Sequence, residues 1–156
     1  MTVELKAGDA APDFDMAADG GGRLRLADFA GQALVLYFYP KDDTSGCTTE
    51  AKGFTEQGPA FAKAGVAVVG VSKDSVARHD KFKAKYDLTI PLGSDEDGKV
   101  VEAYGVWVEK SLYGRKYMGI DRATFLIGKD GKIARVWRKV KVPGHVDQVL
   151  AAAQAL

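Results

Sequence analysis

Two runs of strand-forming residues, "ALVLYFYP" at 33–40 and "GVAVVGVS" at 65–72, constrain this chain more than any other feature. Each is apolar at nearly every position instead of at alternate ones. Neither has a face to offer water, so both predict strands buried on two sides. Pro40 cannot donate to a sheet ladder and should end the first run. A strand covered on both faces needs helices to cover it, and the intervening stretch supplies one. Cys47, Ala51, Phe54, Gly58 and Phe61 recur at alternating spacings of four and three, one face of an amphipathic helix. Pro59 removes a backbone donor inside that pattern and predicts a kink or break around Gln57 to Pro59.

The rest of the chain punctuates in the same way. "ADGGGR" reads as a tight loop between two short N-terminal strands. After the second buried run, a helix is predicted from about Ser75 to Tyr86. Pro91 and "GSDEDGK" mark an irregular connection, and "KVVEAYG" a short helix. "ATFLIG" and "KIARVWRKV" are two strands joined at Asp130-Gly131, a strong hairpin signal. "HVDQVLAAAQAL", after Pro143-Gly144, closes the chain as a helix. Strands alternating with helices, then a hairpin and a last helix, give an α/β sandwich around a mixed sheet. That is the order of a thioredoxin-like fold with an N-terminal β-hairpin extension. No internal repeat or low-complexity linker interrupts it, so one domain spanning 1–156 is expected.

Composition then excludes whole classes of function. The formal net charge is +1, which gives nucleic acid or an anionic surface little to bind. "RVWRKVK" places Arg135, Trp137, Lys139 and Lys141 on one face of a strand, and at near-neutral charge this reads as a solvated face. A single cysteine rules out an intramolecular disulfide and a cysteine-rich zinc site. His79 and His145 are far apart, lack ligand-like spacing, and read as surface or helix-start residues. Nothing points to a metal, flavin or haem cofactor. No apolar run approaches 18 residues, and "MTVELKAGDA" lacks the pattern of a signal peptide. A cytoplasmic protein without membrane attachment is the expectation.

The lone sulfur remains. Free cysteine has a pKa of about 8.5, so little of it is thiolate at neutral pH. A helix N-terminus offers unpaired N–H groups and roughly half a positive charge, both favouring an anion. Cys47 falls in the first predicted turn, with Thr44 or Ser45 as N-cap. The Thr44 hydroxyl could accept from the backbone while donating toward the sulfur or a substrate. Gly46 keeps the approach to the sulfur open. A buried, inert cysteine on the same apolar face fits the periodicity equally well.

"PKDDTSGC" carries a proline, a threonine four residues on, and a cysteine three further. It resembles the P-x-x-x-T-x-x-C signature of the peroxiredoxins, and "LYFYPKDDTSGCTTEAKGF" is similar to the bacterioferritin comigratory protein, or peroxiredoxin Q, subfamily. "GDAAPDF", "KAGVAVVGVS", "LGSDEDGKV", "YGVW" and "GIDRATFLIGKDGKI" extend the resemblance over nearly the whole chain from Gly8. It implies a thiol-dependent peroxidase in which Cys47 attacks the O–O bond of hydrogen peroxide or a small organic hydroperoxide and becomes a sulfenic acid. It also implies the supporting groups: the backbone N–H groups of Gly46 and Cys47, the Thr44 hydroxyl, Arg122 in "GIDRATFLI" oriented by Glu50, and Pro40 shielding the sulfur.

Two departures matter. Many members carry a second, resolving cysteine at positions that here hold Lys52 and Lys83. A one-cysteine cycle with an external thiol reductant, a thioredoxin, a glutaredoxin or a low-molecular-weight thiol, is therefore expected. Ser45 stands where many relatives have proline. The expected assembly is a monomer or weak homodimer. A disulfide reductase of thioredoxin type would need a cysteine at Thr44, and a non-enzymatic interaction or chaperone module stands as the alternative.

Overall fold

In a computed structural model, which describes residues 4–156, the two apolar runs sit at the middle of a seven-stranded sheet. In chain order the strands are β1 (Asp15–Ala18), β2 (Arg23–Arg25), β3 (Ala33–Phe38), β4 (Val66–Ser72), β5 (Leu92–Ser94), then the separate hairpin β6 (Trp107–Leu112) and β7 (Arg115–Ile120), and finally β8 (Ala123–Ile127) and β9 (Ile133–Trp137). The helices are α1 (Ser45–Glu56), α2 (Gly58–Lys63), α3 (Val76–Tyr86), α4 (Lys99–Ala103) and α5 (His145–Gln154). The main sheet runs β2-β1-β5-β4-β3-β8-β9. β3 pairs parallel to β4 and antiparallel to β8, so the sheet is mixed. This is the thioredoxin-like sandwich, with the β1–β2 hairpin joined to it through β5.

β3 shows why its sequence is apolar throughout. Leu34, Leu36 and Phe38 point into one core, shared with Val69, Val71, Tyr104 and Phe125. Val35, Tyr37 and Tyr39 point into the other, shared with Phe54 of α1, Phe61 of α2, Phe82 of α3 and Val149 of α5. All six residues of β3 are buried. The strand stops at Phe38, two residues before Pro40.

The helix break falls where Pro59 requires it. α1 ends at Glu56 and α2 starts at Gly58 with the proline in its first turn, where no donor is needed. Ser75 caps α3 by accepting from the Arg78 N–H. Asp130-Gly131 turns β8 into β9, with Gly131 at φ 78°.

Three expectations need correcting. The connection after Pro91 is not wholly irregular, because Leu92–Ser94 form β5 and bridge β4 to β1. Three residues are too few to display a period. The β6–β7 hairpin was not expected at all. Its strands mix charge and apolar residues without clean alternation, and its tip is Tyr113-Gly114, with the tyrosine in the left-handed region at φ 51°. β9 stops at Trp137, and Lys139 takes a left-handed φ of 48°. Lys139 and Lys141 therefore do not extend a strand face with Arg135 and Trp137.

Gly70 of β4 lies beneath the Tyr37 ring, and a Cβ there would stand 2.7 Å from the ring's Cζ and hydroxyl. The ring cannot retreat, since it stacks on Phe54 at 4.5 Å. Gly70→Ala is expected to lower the unfolding free energy by about 1–3 kcal/mol, measured by urea titration.

Candidate active site

The main sheet brings the two ends of the site together by register. β8 runs antiparallel to β3, and Ala123 pairs with Phe38 at the end from which the chain leaves for α1. Arg122, one residue before Ala123, is thereby held beside the α1 N-terminus. Cys47 is the third residue of α1, in its first turn, and is only 1% exposed. It belongs to the apolar cluster that includes Tyr37, Tyr39 and Phe54.

Arg122 reaches into this apolar setting and donates twice. Its Nη2 donates to Cys47 Sγ at 3.3 Å, and its Nη1 to Glu50 Oε1 at 2.7 Å. Gly46 makes this possible by lacking a side chain, because a Cβ there would be 3.2 Å from Nη2. The glycine expected to clear a path to the sulfur thus clears the path of the guanidinium. Burial opposes the Arg122 charge, yet Glu50 and Cys47 outweigh it and hold the group above the ordinary arginine value. Glu50 is fully buried, and its Oε2 has no partner among the described residues. Burial pushes its carboxyl up to about 7 against the pull of Arg122. The pairing expected between Arg122 and Glu50 is in place.

Thr44 is the N-cap residue by backbone conformation, but its hydroxyl does not cap. It donates instead to the Lys41 carbonyl at 2.8 Å, which tightens the turn leading into the helix. With its hydrogen committed there, the oxygen keeps its lone pairs for another partner. Pro40 is exposed on the segment between β3 and α1. Lys52 is exposed on α1, and Lys83 is bonded to Asp19 at 2.8 Å, so neither position brings a second reactive group to Cys47.

Both histidines depart from a surface reading. His145 does begin α5, but it is buried and bonds Thr124 Oγ1 through Nε2 at 2.8 Å. Burial, then the nearby Arg122 charge, lowers it to about 4. His79 is fully buried under the loop before α1. A signal for this existed in the sequence, since His79, Phe82 and Tyr86 repeat at helical spacing on one side of α3. Half-buried Lys110, on the unanticipated hairpin, lies close enough to feel Cys47 and Arg122, and burial is the main cause of its lowered pKa.

A sulfur at a helix start, backed by a buried guanidinium and closed off from bulk water, can hold negative charge and stabilise charge developing on a bound oxygen. On a thioredoxin-like sandwich this defines the class: a thiol-dependent peroxidase. Residues 7–136 match the family model described as the AhpC/TSA family, and the chain belongs to that family, in its Bcp, or peroxiredoxin Q, branch. The peroxiredoxin Bcp of Bacillus subtilis is 47% identical over 150 residues, covering 96% of this chain and 94% of that one. The solved structure of the Xanthomonas campestris bacterioferritin comigratory protein, described for its alkyl peroxide reduction activity, has a TM-score of 0.89 at 44% identity, covering 99% of this chain and 98% of that one. A Xylella fastidiosa PrxQ mutant superposes with a TM-score of 0.93 at 41% identity, covering 98% of each chain.

Glu50 and His145, two of the shifted groups of the site, predict opposite pH slopes for stability. Glu50, raised in the fold, favours the folded state at low pH, and this contribution is lost as pH rises from about 4.5 to about 7. His145, lowered in the fold, loses stability as pH falls from 6.5 to about 4. The difference in urea stability between the parent and His145→Gln isolates the second slope. It should change across that window by about 3 kcal/mol.

Proposed function

We propose that this peroxiredoxin reduces hydrogen peroxide and small organic hydroperoxides at Cys47 by a one-cysteine cycle. The contact that carries the reading is the 3.3 Å approach of Arg122 Nη2 to Cys47 Sγ. The sulfur attacks as a thiolate on the terminal peroxide oxygen. An S–O bond forms, the O–O bond breaks, and the alkoxide or hydroxide that leaves takes up a proton as alcohol or water. Cys47 is left as a sulfenic acid.

Charge moves from sulfur to the departing oxygen, so fixed donors on both sides lower the barrier. Arg122 can follow that charge because its fork of N–H groups already faces the sulfur. The backbone N–H groups of Gly46 and Cys47, at the open end of α1, supply the remaining donors. Thr44, whose hydrogen is held by Lys41, orients the peroxide by accepting its O–H. Pro40 contributes by ending β3 and setting the direction of the loop.

Cys47 is the chain's single cysteine, so the sulfenic acid has no internal thiol to meet. An external thiol condenses with it, releasing water and leaving a mixed disulfide, and a second thiol frees Cys47. A thioredoxin, a glutaredoxin or a low-molecular-weight thiol fits this role. No helix among the described residues is long and apolar enough to cross a membrane. Action in the cytoplasm, as a one-domain monomer or weak homodimer and without metal or cofactor, completes the proposal. The activity towards alkyl peroxides described for the Xanthomonas campestris relative supports including organic substrates.

Stoichiometric peroxide should add one oxygen atom to the protein by intact mass, and Cys47→Ser should abolish both the adduct and turnover. An unmodified parent would sink the reading in favour of a non-enzymatic module. Arg122→Ala should slow peroxide consumption by about 10²–10³-fold with the fold retained by circular dichroism. A panel of glutathione, a thioredoxin system, a glutaredoxin and dithiothreitol identifies the donor.

A further inference from the structure

His79 is wholly buried, and both of its ring nitrogens face acceptors. Nε2 lies 2.8 Å from the Gly93 carbonyl, which can only accept, so that nitrogen carries a hydrogen. Nδ1 lies 2.6 Å from Asp42 Oδ2, and the other oxygen of Asp42 accepts from the Tyr39 hydroxyl at 2.5 Å. Between histidine and aspartate one more proton is therefore required. If it were removed, a ring lone pair would face a carboxylate oxygen at contact distance, out of reach of water.

Asp42 stands in the middle of segment 39–44, which joins β3 to Cys47 and its helix. Its backbone N–H donates to Asp74 Oδ2 at 2.8 Å, and Ser72 donates to the same oxygen at 2.7 Å. The next residue, Asp43, sits in the left-handed region at φ 60° and is held by Lys85 at 2.8 Å and the Tyr86 hydroxyl at 2.5 Å. α3 thus grips both aspartates of "PKDDTSGC". Of the two grips, the one at Asp43 is exposed and the one at Asp42 is buried.

We propose that His79, held as an imidazolium between Asp42 and the Gly93 carbonyl, is a positioning residue for the loop carrying Thr44 and the start of α1, and that peroxide reduction at Cys47 declines when His79 loses its proton. The charged and titratable groups facing it are Asp42 and Tyr39 from the segment after β3, with Asp74 from the connection before α3. On its own helix, Arg78 pairs with Asp74 at 3.5 Å, and Asp80 accepts from the Gly20 N–H on the far side. Burial opposes the charge on His79, but the bond and charge of Asp42, then Gly93 and Asp74, hold it above the ordinary imidazole value. A histidine raised in the fold contributes fully below its ordinary value and loses that contribution as pH rises through the raised one. The rate should follow the same course.

The inference rests on Cys47 as the peroxide-reacting sulfur. Its test combines ring-nitrogen NMR of the two histidines with single-turnover peroxide oxidation of Cys47 across pH, in the parent and in His79→Gln. At neutral pH the His79 ring should show two N–H groups, while His145 shows one. The parent rate should fall on an alkaline limb that coincides with the His79 titration. His79→Gln should be slower by about tenfold to a hundredfold and lack that limb. A singly protonated His79 at neutral pH, or a folded His79→Gln with the parent's rate and profile, overturns the inference. If the variant does not fold, the parent's spectrum and profile still decide it. A Cys47 inert to peroxide at every pH would sink the functional reading itself, and this inference with it.

Discussion

The Arg122 guanidinium is the charge around which this molecule's chemistry is arranged. It is largely withdrawn from water, with one nitrogen on the Glu50 carboxylate and another on the Cys47 sulfur. A buried cation is tolerated only when it is paired, and removing one partner of such a pair typically costs about 3–5 kcal/mol. Glu50 is the necessary counter-charge, and its elevated pKa records how little water is left to help it. Because Glu50 and Cys47 lie on successive positions of one helix face, and Arg122 precedes β8, the same contacts that ready the sulfur also tie α1 to the sheet.

That arrangement imposes demands on its surroundings. The sulfur must sit at the helix start, so β3 has to end abruptly and the chain must turn within segment 39–44. Asp43 adopts a left-handed backbone there, a conformation that aspartate tolerates better than most residues but still requires support. α3 provides the support through His79, Lys85 and Tyr86. Gly46 and Gly70 mark the places where backbone had to yield volume, one to the guanidinium and one to the Tyr37 ring.

Much of the fold was legible because its signals are local. Continuous apolar runs gave β3 and β4, Pro59 the break between α1 and α2, Ser75 the start of α3, and Asp130-Gly131 the last hairpin. β5 was missed because three residues carry no period, and β6–β7 because the hairpin is anchored to the core only at its base, by Trp107 and Ile120, and most of its length has no buried face to impose alternation. In the site, Cys47 and Gly46 were anticipated from the residues themselves and the Arg122–Glu50 pair only through the family resemblance, and the structure brings them together. The Thr44 hydroxyl turned out to face Lys41, Pro40 is exposed, and His79 lies in the interior. The first depends on how the 39–44 segment turns and the last on which group from another segment arrives nearby, and single-residue chemistry reports neither.

The sequence alone determined that one sulfur would stand in the first turn of a helix, after a buried strand, in a chain with no second thiol. These are consequences of periodicity, proline geometry and composition, all of which act over a few residues. Only the tertiary structure decided that Arg122, 75 residues away, meets that sulfur, and that His79, 37 residues from Asp42, is enclosed beneath the loop. Those meetings follow from the β3–β8 register and from the packing of α3 on the sheet. They are set by which strands pair and which faces are buried, and no local stretch of the chain contains that information.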